Sequence, residues 1–187
     1  ILYTNQDYKQ KTKVEKFQGW NLVDKPGVFK IGIPTIFGSG SEASRTAVLK
    51  MKDRKLGINS EFSQFDAIII DPSLCSTVKE SAIFFSAMDC YIHSVESLLG
   101  CYKNYLAQVY AEKALALSKN FLEYKKGYDE IAVGSYFGGI SIVNSEVGVC
   151  HALSYGLSKI FDINHGEANC IIFQHLDQFY GDYCKDF

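Results

Sequence analysis

Residues 77–100 read TVKESAIFFSAMDCYIHSVESLLG. Ile83, Phe84, Met88, Ile92, Val95 and Leu99 recur at intervals that line one face of an α-helix. Thr77 and Glu80 have the spacing of a capping box, and Gly100 offers a stop. The same helix carries Asp89 and His93, four residues apart, which places both side chains on one face about one turn from each other. That spacing suits two ligands of one metal ion. It equally suits a hydrogen bond along a helix surface.

Helices continue toward the C-terminus. An Ala-rich segment predicts a second helix from about Lys103 to Tyr124, with Gly127 as its stop. A third begins near Asp129 and contains Gly134, Gly138 and Gly139; grouped glycines in a helix point to close packing on a neighbour. A fourth covers Val147 to Ile160, and a last one runs from about Glu167 to Phe179. Upstream the pattern changes. Val28–Ile33, Arg45–Leu49, Lys55–Asn59 and Phe65–Ile70 read as strands, the middle two as a hairpin around Lys52-Asp53-Arg54. The run Ile68-Ile69-Ile70 suits a strand covered on both faces. Asp24-Lys25-Pro26-Gly27 is a turn, and the Lys-rich first twenty residues read as loop or helix end. A boundary near Pro72 therefore separates a strand-rich piece, 1–71, from a helical one, 72–187. Gly38-Ser39-Gly40-Ser41-Glu42 follows the first strand: small residues there either let backbone N–H groups approach a phosphate or form a flexible loop.

Composition excludes several functions. The chain has 187 residues, 47% hydrophobic and 21% charged, enough to bury a core in one domain or in parts of two. With 19 basic and 21 acidic residues, it offers no electrostatic case for nucleic acid or an anionic membrane. The most apolar run, Ile131 to Val149, is broken by Asn144 and Glu146, so no membrane span is expected, and no signal peptide is visible. Six cysteines without a CxxC pair read as reduced, buried thiols of a cytoplasmic protein. The ends, Ile1-Leu2-Tyr3 and Cys184-Lys185-Asp186-Phe187, look like those of an internal fragment.

Of the four histidines, His151 and His165 raise the case for a metal. A continuous helix would hold them about 21 Å apart, whereas ligand atoms of one ion lie within about 4 Å of each other. If both bind the ion, the helix must end between them. Gly156 and Asp162-Ile163-Asn164 allow the chain to fold back. His175, with apolar neighbours, reads as structural. One aspartate with three histidines makes an N/O site for a divalent transition metal, with iron and zinc both acceptable. Such an ion lowers the pKa of a bound oxygen by several units.

These residues resemble those of the iron-containing (group III) alcohol dehydrogenases, relatives of dehydroquinate synthase and glycerol dehydrogenase. The matching stretches are IPTIFGSGSEAS (33–44), AIIIDPSL (67–74), AMDCYIHSVES (87–97) and GVCHALSYGLSKIFDINHGEANC (148–170). The resemblance implies a mixed α/β, mainly helical fold: the trailing part of a Rossmann-like nucleotide-binding domain, then the all-α metal-binding domain of the dehydroquinate synthase-like fold. It implies Asp89, His93, His151 and His165 as ligands of Fe2+ or Zn2+. It places NAD or NADP contacts at Thr35, Ser39 and Ser44, with Thr46 and Lys55 nearby. The reaction implied is hydride transfer between a metal-activated sugar or polyol alcohol and the nicotinamide, with a homodimer as an expected assembly. Within the family, FQGWNLVDKPGVFKIGIPT (17–35), KLGINSEFSQFD (55–66) and CHALSYGL (150–157) are similar to the branch that oxidises the C8 alcohol of the lipopolysaccharide sugar 3-deoxy-manno-octulosonate.

Two departures qualify the resemblance. Many members carry a histidine where this chain has Tyr155, a candidate proton relay that is poorly matched to neutral pH. The family's GGGS pyrophosphate turn would fall before Ile1, so the chain as it stands is expected to lack half of the cofactor site and to be inactive alone. Two rivals stand beside the dehydrogenase: a truncated or degenerate relative whose metal only stabilises the helices, and a helical metal-dependent phosphohydrolase, whose adjacent His-Asp pair is missing.

Overall fold

The computed structural model describes residues 14–50 and 55–185, with no description of the side chains at 50, 55 and 56. Among the described residues, a strand-rich portion precedes six α-helices: α1 (Glu80–Leu99), α2 (Tyr105–Tyr124), α3 (Tyr128–Ser145), α4 (Val149–Phe161), α5 (His165–Phe173) and the single turn α6 (Asp177–Tyr180). α1 is the central rod. From Ala87 to Ser97 every residue is buried, and α2, α3 and α5 pack around it. Ile83, Met88, Tyr91, Ile92 and Val95 of α1 meet Ala114, Phe121 and Leu122 of α2, Ile131 of α3, Cys150 of α4 and Phe173 of α5 in one core. Ala107, Ala111, Ala114 and Ser118 form the inner stripe of α2, small enough to let α3 lie close.

The ends of the helices have local causes. α1 begins at Glu80 with Lys79 as its cap and no side-chain bond, so the capping box expected at Thr77 does not form. Gly100 ends it as expected, its N–H bonding the Glu96 carbonyl. The Asn104 side chain caps α2 by accepting from the Ala107 N–H at 3.0 Å. α2 stops at Lys125, at φ 51°; Gly127 instead caps the start of α3. The last predicted helix is two helices, broken where the His175 and Leu176 N–H groups bond back only three residues, to the Ile172 and Phe173 carbonyls.

Among the described residues, five short strands form two small sheets. β1 (Gly19–Trp20) runs parallel to β4 (Lys55–Asn59), which pairs antiparallel with β3 (Thr46–Lys50) as expected, Val48 facing Gly57; the expected turn at Lys52-Asp53-Arg54 lies outside the described residues. The strands expected at Val28–Ile33 and Phe65–Ile70 shrink to β2 (Ile31–Gly32) and β5 (Ala67–Ile68), paired in parallel. Ile69 is 50% exposed, so the isoleucine run is not covered on both faces. Cys75, Cys90 and Cys150 are buried as expected, Cys170 and Cys184 are half-buried, and Cys101 is exposed. His175 is exposed rather than packed in a core. Among the described residues, no helix is long and apolar enough to cross a membrane.

The glycine-rich turn is held by packing. The N–H groups of Gly38 and Gly40 both donate to the Ser135 hydroxyl of α3, at 2.8 and 3.1 Å. Ser135 in turn donates to the buried Glu42 carboxylate at 3.2 Å. No helix follows the turn, so these two amides are engaged within the fold and do not form a phosphate cradle. Gly40 sits at φ 60°, and a Cβ there would stand 2.4 Å from the Gly139 Cα. Gly40→Ala is therefore expected to cost about 2–4 kcal/mol by backbone strain and overpacking. Gly156→Ala, at an exposed helical position with nothing within 4 Å of an added Cβ, is expected to gain up to about 1 kcal/mol. Urea unfolding of the two variants checks both signs.

Candidate metal centre

Three helices each contribute a pair of side chains spaced four residues apart. α1 presents Asp89 and His93, α4 presents His151 and Tyr155, and α5 presents His165 and Asn169. α4 ends at Asp162, whose φ of 56° takes it out of the helix, and the Ser158 hydroxyl pins the turn by donating to the Ile163 carbonyl at 2.8 Å. α5 then starts at His165. Gly166 lets it press against α1, where a Cβ would meet the Phe85 carbonyl oxygen at 2.5 Å. The reversal required by the 14-residue separation thus lies at Asp162–Asn164, while Gly156 stays inside α4.

The pairs converge. The Asp89 Oδ1 lies 3.2 Å from His151 Nε2, 3.7 Å from His93 Nε2 and 3.8 Å from His165 Nε2. Asp89, His151 and His165 each offer an atom within 4.8 Å of the others. His93 stands outside that mutual set, its ring stacked on His151 at 4.5 Å. Donor atoms bound at about 2.0–2.2 Å to one ion stand about 3–4 Å apart, so the spacing and the mixed O/N chemistry fit a single divalent transition ion. The His93 Nδ1 is buried with no hydrogen-bond partner among the described residues. Asp89, His93 and His151 are buried, whereas the His165 side chain keeps 32% of its surface.

A carboxylate that the sequence reading missed organises the cluster from behind. Glu96, 1% exposed, accepts from His151 Nδ1 at 2.6 Å, from the Gly148 and Cys150 N–H groups at 2.7 and 2.8 Å, and from the Tyr180 hydroxyl at 2.7 Å. It fixes the His151 ring and the first turn of α4 together. Its only sequence signal was a position three residues after His93 on the same helix.

Burial and charge set the protonation of the group. Burial pushes the Asp89 carboxyl up, but the charges of the neighbouring histidines and the bond to His151 outweigh it and hold the carboxyl well below the usual range. Glu96 is likewise opposed by burial, yet its bond to His151 and the backbone N–H groups bring it to about 2. Burial alone would depress His151; the bonds to Asp89 and Glu96 push it up to about 9. His93, with weaker compensation, is lowered by burial to about 4. Burial and the charges of Asp89 and Glu96 raise the Tyr155 phenol to about 12.

A cleft of about 250 Å³ opens onto this cluster. Ser39, Ser44 and Thr46 line it together with the histidines, Arg45 and Tyr155. The sequence-predicted cofactor contacts Ser39, Ser44 and Thr46 thus share one cleft with the cluster. Thr35 does not line the cleft; its carbonyl accepts from the Cys75 thiol at 3.4 Å. The Lys55 side chain lies outside the described residues. Arg45 spans the cleft wall, 3.9 Å from Glu146 and 5.4 Å over the Trp20 ring.

Fold and cluster define a helical domain that gathers one carboxylate and several imidazoles at the floor of a cleft. Residues 83–186 match the Fe-containing alcohol dehydrogenase family, C-terminal, and the chain belongs to that family. A long-chain-alcohol dehydrogenase from Geobacillus thermodenitrificans is 29% identical over 165 residues, covering 84% of this chain and 42% of the relative. The crystal structure of a 1,3-propanediol oxidoreductase superposes with a TM-score of 0.83 at 21% identity, covering 94% of this chain and 48% of that one. A sulfoacetaldehyde reductase from Bifidobacterium kashiwanohense, solved in complex with NAD+, gives 0.75 at 21% identity, with 90% and 48% covered. The chain spans less than half the length of these relatives.

Proposed function

We propose that this chain is the metal-holding part of an alcohol oxidoreductase, in which Asp89, His93, His151 and His165 bind one divalent cation. The observation that carries the reading is the convergence of the three imidazole Nε2 atoms on one buried carboxylate oxygen, at 3.2–3.8 Å, on the floor of a cleft. Bound there, Fe2+ or Zn2+ would supply Lewis acidity to an alcohol oxygen. The residues of the chain do the rest. The cleft admits a small alcohol on the exposed side of His165. Ser39, Ser44 and Thr46 offer hydroxyls to a nicotinamide dinucleotide, which a relative solved with NAD+ makes the favoured hydride acceptor. Tyr155 keeps its proton through neutral pH, so its role is to pass a proton through its hydroxyl and not to act as a resting base.

We further assign residues 1–71 to the trailing part of a nucleotide-binding domain and 72–187 to the helical metal-binding domain. A sugar or polyol alcohol is the substrate class, with the C8 alcohol of 3-deoxy-manno-octulosonate as the specific candidate, in a cytoplasmic homodimer. The test is NAD+ reduction at 340 nm by the product of the complete reading frame, loaded with Fe2+ or Zn2+, against primary alcohols, polyols and that sugar acid. The expected result is an alcohol-dependent signal that a chelator abolishes. A metal-loaded protein that reduces neither NAD+ nor NADP+ with any of them contradicts the reading.

Cation binding is expected to depend on pH. Below about pH 9 His151 is protonated, with Nδ1 facing Glu96 and Nε2 facing Asp89. A cation needs the Nε2 lone pair, so its uptake expels that proton. Affinity should rise about tenfold per pH unit up to about pH 9 and then level off. Chelator competition between pH 6 and 10 measures the slope; a flat profile contradicts it.

A further inference from the structure

Asn169 lies one turn beyond His165 on α5 and is fully buried. Its Nδ2 is 2.6 Å from Asp89 Oδ1, 3.1 Å from His151 Nε2 and 3.4 Å from His165 Nε2. Its Oδ1 is buried with no hydrogen-bond partner among the described residues. The amide orientation follows from chemistry: turned the other way, its oxygen would face the Asp89 carboxylate oxygen, a contact between two acceptors. Asn169 does not line the cleft, so whatever it does is done through the residues it touches.

We propose that Asn169 is a positioning residue of the cation centre, its amide N–H anchoring the Asp89 carboxylate so that a lone pair stays aimed at the point shared by His93, His151 and His165. The proposal rests on the metal-centre reading above. The physical need is clear from the neighbours of Asp89. The three imidazoles crowd the same oxygen, but an imidazole nitrogen that ligates a cation no longer donates to a carboxylate. The Asn169 N–H can keep its bond, because a carboxylate oxygen has a second lone pair. It therefore remains to fix the carboxylate rotamer once the imidazoles have turned to the ion. Its place four residues after His165 links that orientation to the start of α5, so carboxylate and third imidazole move as a unit.

The experiment compares Co2+ binding by the wild-type protein, Asn169→Leu and Asn169→Ser, by chelator competition, visible absorption of the bound cobalt and far-UV circular dichroism. Leucine keeps the volume and removes the donor; serine folds with less crowding but is too short to reach Asp89. The expected result is a loss of about 10–100-fold in affinity and an altered cobalt band in each variant that keeps wild-type helicity. Affinity within threefold of wild type with an unchanged band, in either folded variant, overturns the proposal and leaves the metal-centre reading intact. A wild-type protein that takes up no Co2+ overturns both.

Discussion

Asp89→Ala is expected to abolish cation retention. Asp89 is the one carboxylate among the described residues onto which the Nε2 atoms converge, all three lying within 3.8 Å of its Oδ1. A structural ion of this type is held by about 10–16 kcal/mol, so one ligand in four is worth about 3–4 kcal/mol, or several hundredfold in affinity. Losing the one anion should place Asp89→Ala at the upper end. The variant also leaves His151 with Glu96 as its remaining charged partner, so its imidazole should titrate well below the wild-type value of about 9. Chelator competition measures the first effect and NMR titration of the His151 ring the second. Affinity within tenfold of wild type means that Asp89 is not a ligand.

The second large effect is expected at Glu96. Glu96→Ala removes the acceptor for four donors in a site that is 1% exposed. Breaking a buried, hydrogen-bonded charge pair costs about 3–5 kcal/mol, and losing the partner of a metal-ligating histidine costs about 10–100-fold in metal affinity. The pH dependence separates this from a cavity effect. Glu96 titrates at about 2 when folded against an ordinary 4.5, so its contribution is present above pH 4.5 and lost as pH falls from there toward 2. His151 is raised from 6.5 to about 9, so its contribution is present below pH 6.5 and lost as pH rises through 9. The Glu96–His151 bond belongs to both contributions and is counted once, within about 3 kcal/mol, while the bond to Asp89 also raises His151. In Glu96→Gln, which keeps the volume, the acid and alkaline losses should both shrink. Thermal unfolding from pH 3 to 10 reads them; an unaltered profile contradicts the pairing.

Local spacing made part of this site legible. Asp89 and His93 sit on one helix, so their shared face follows from four residues of sequence. The need for a chain reversal between His151 and His165 follows from the length of a helix. Contacts across the fold were not legible. Glu96 meets His151 from 55 residues away, and the partner of the Gly38 and Gly40 amides, Ser135, lies 95–97 residues on. The glycine turn therefore looked like a ligand cradle when its small residues are needed for packing on α3. Asn169 stands at the same four-residue offset from His165 as His93 from Asp89, but asparagine is not a usual metal ligand, so the offset alone carries no signal. The break after Phe173 has neither glycine nor proline to announce it. The overextended strand at Phe65–Ile70 shows the limit of propensity: β-branched residues favour a strand, but only Ala67–Ile68 find a partner strand, β2.

An anomalous difference map from crystals of the Fe2+- or Zn2+-loaded protein, collected at the edge of that metal, tests the central claim most directly. The account predicts one strong peak per chain, about 2.0–2.3 Å from an Asp89 carboxylate oxygen and from the Nε2 atoms of His93, His151 and His165. A metal-loaded crystal whose peak lies elsewhere, or that leaves any two of these four side chains beyond bonding distance of it, contradicts the account.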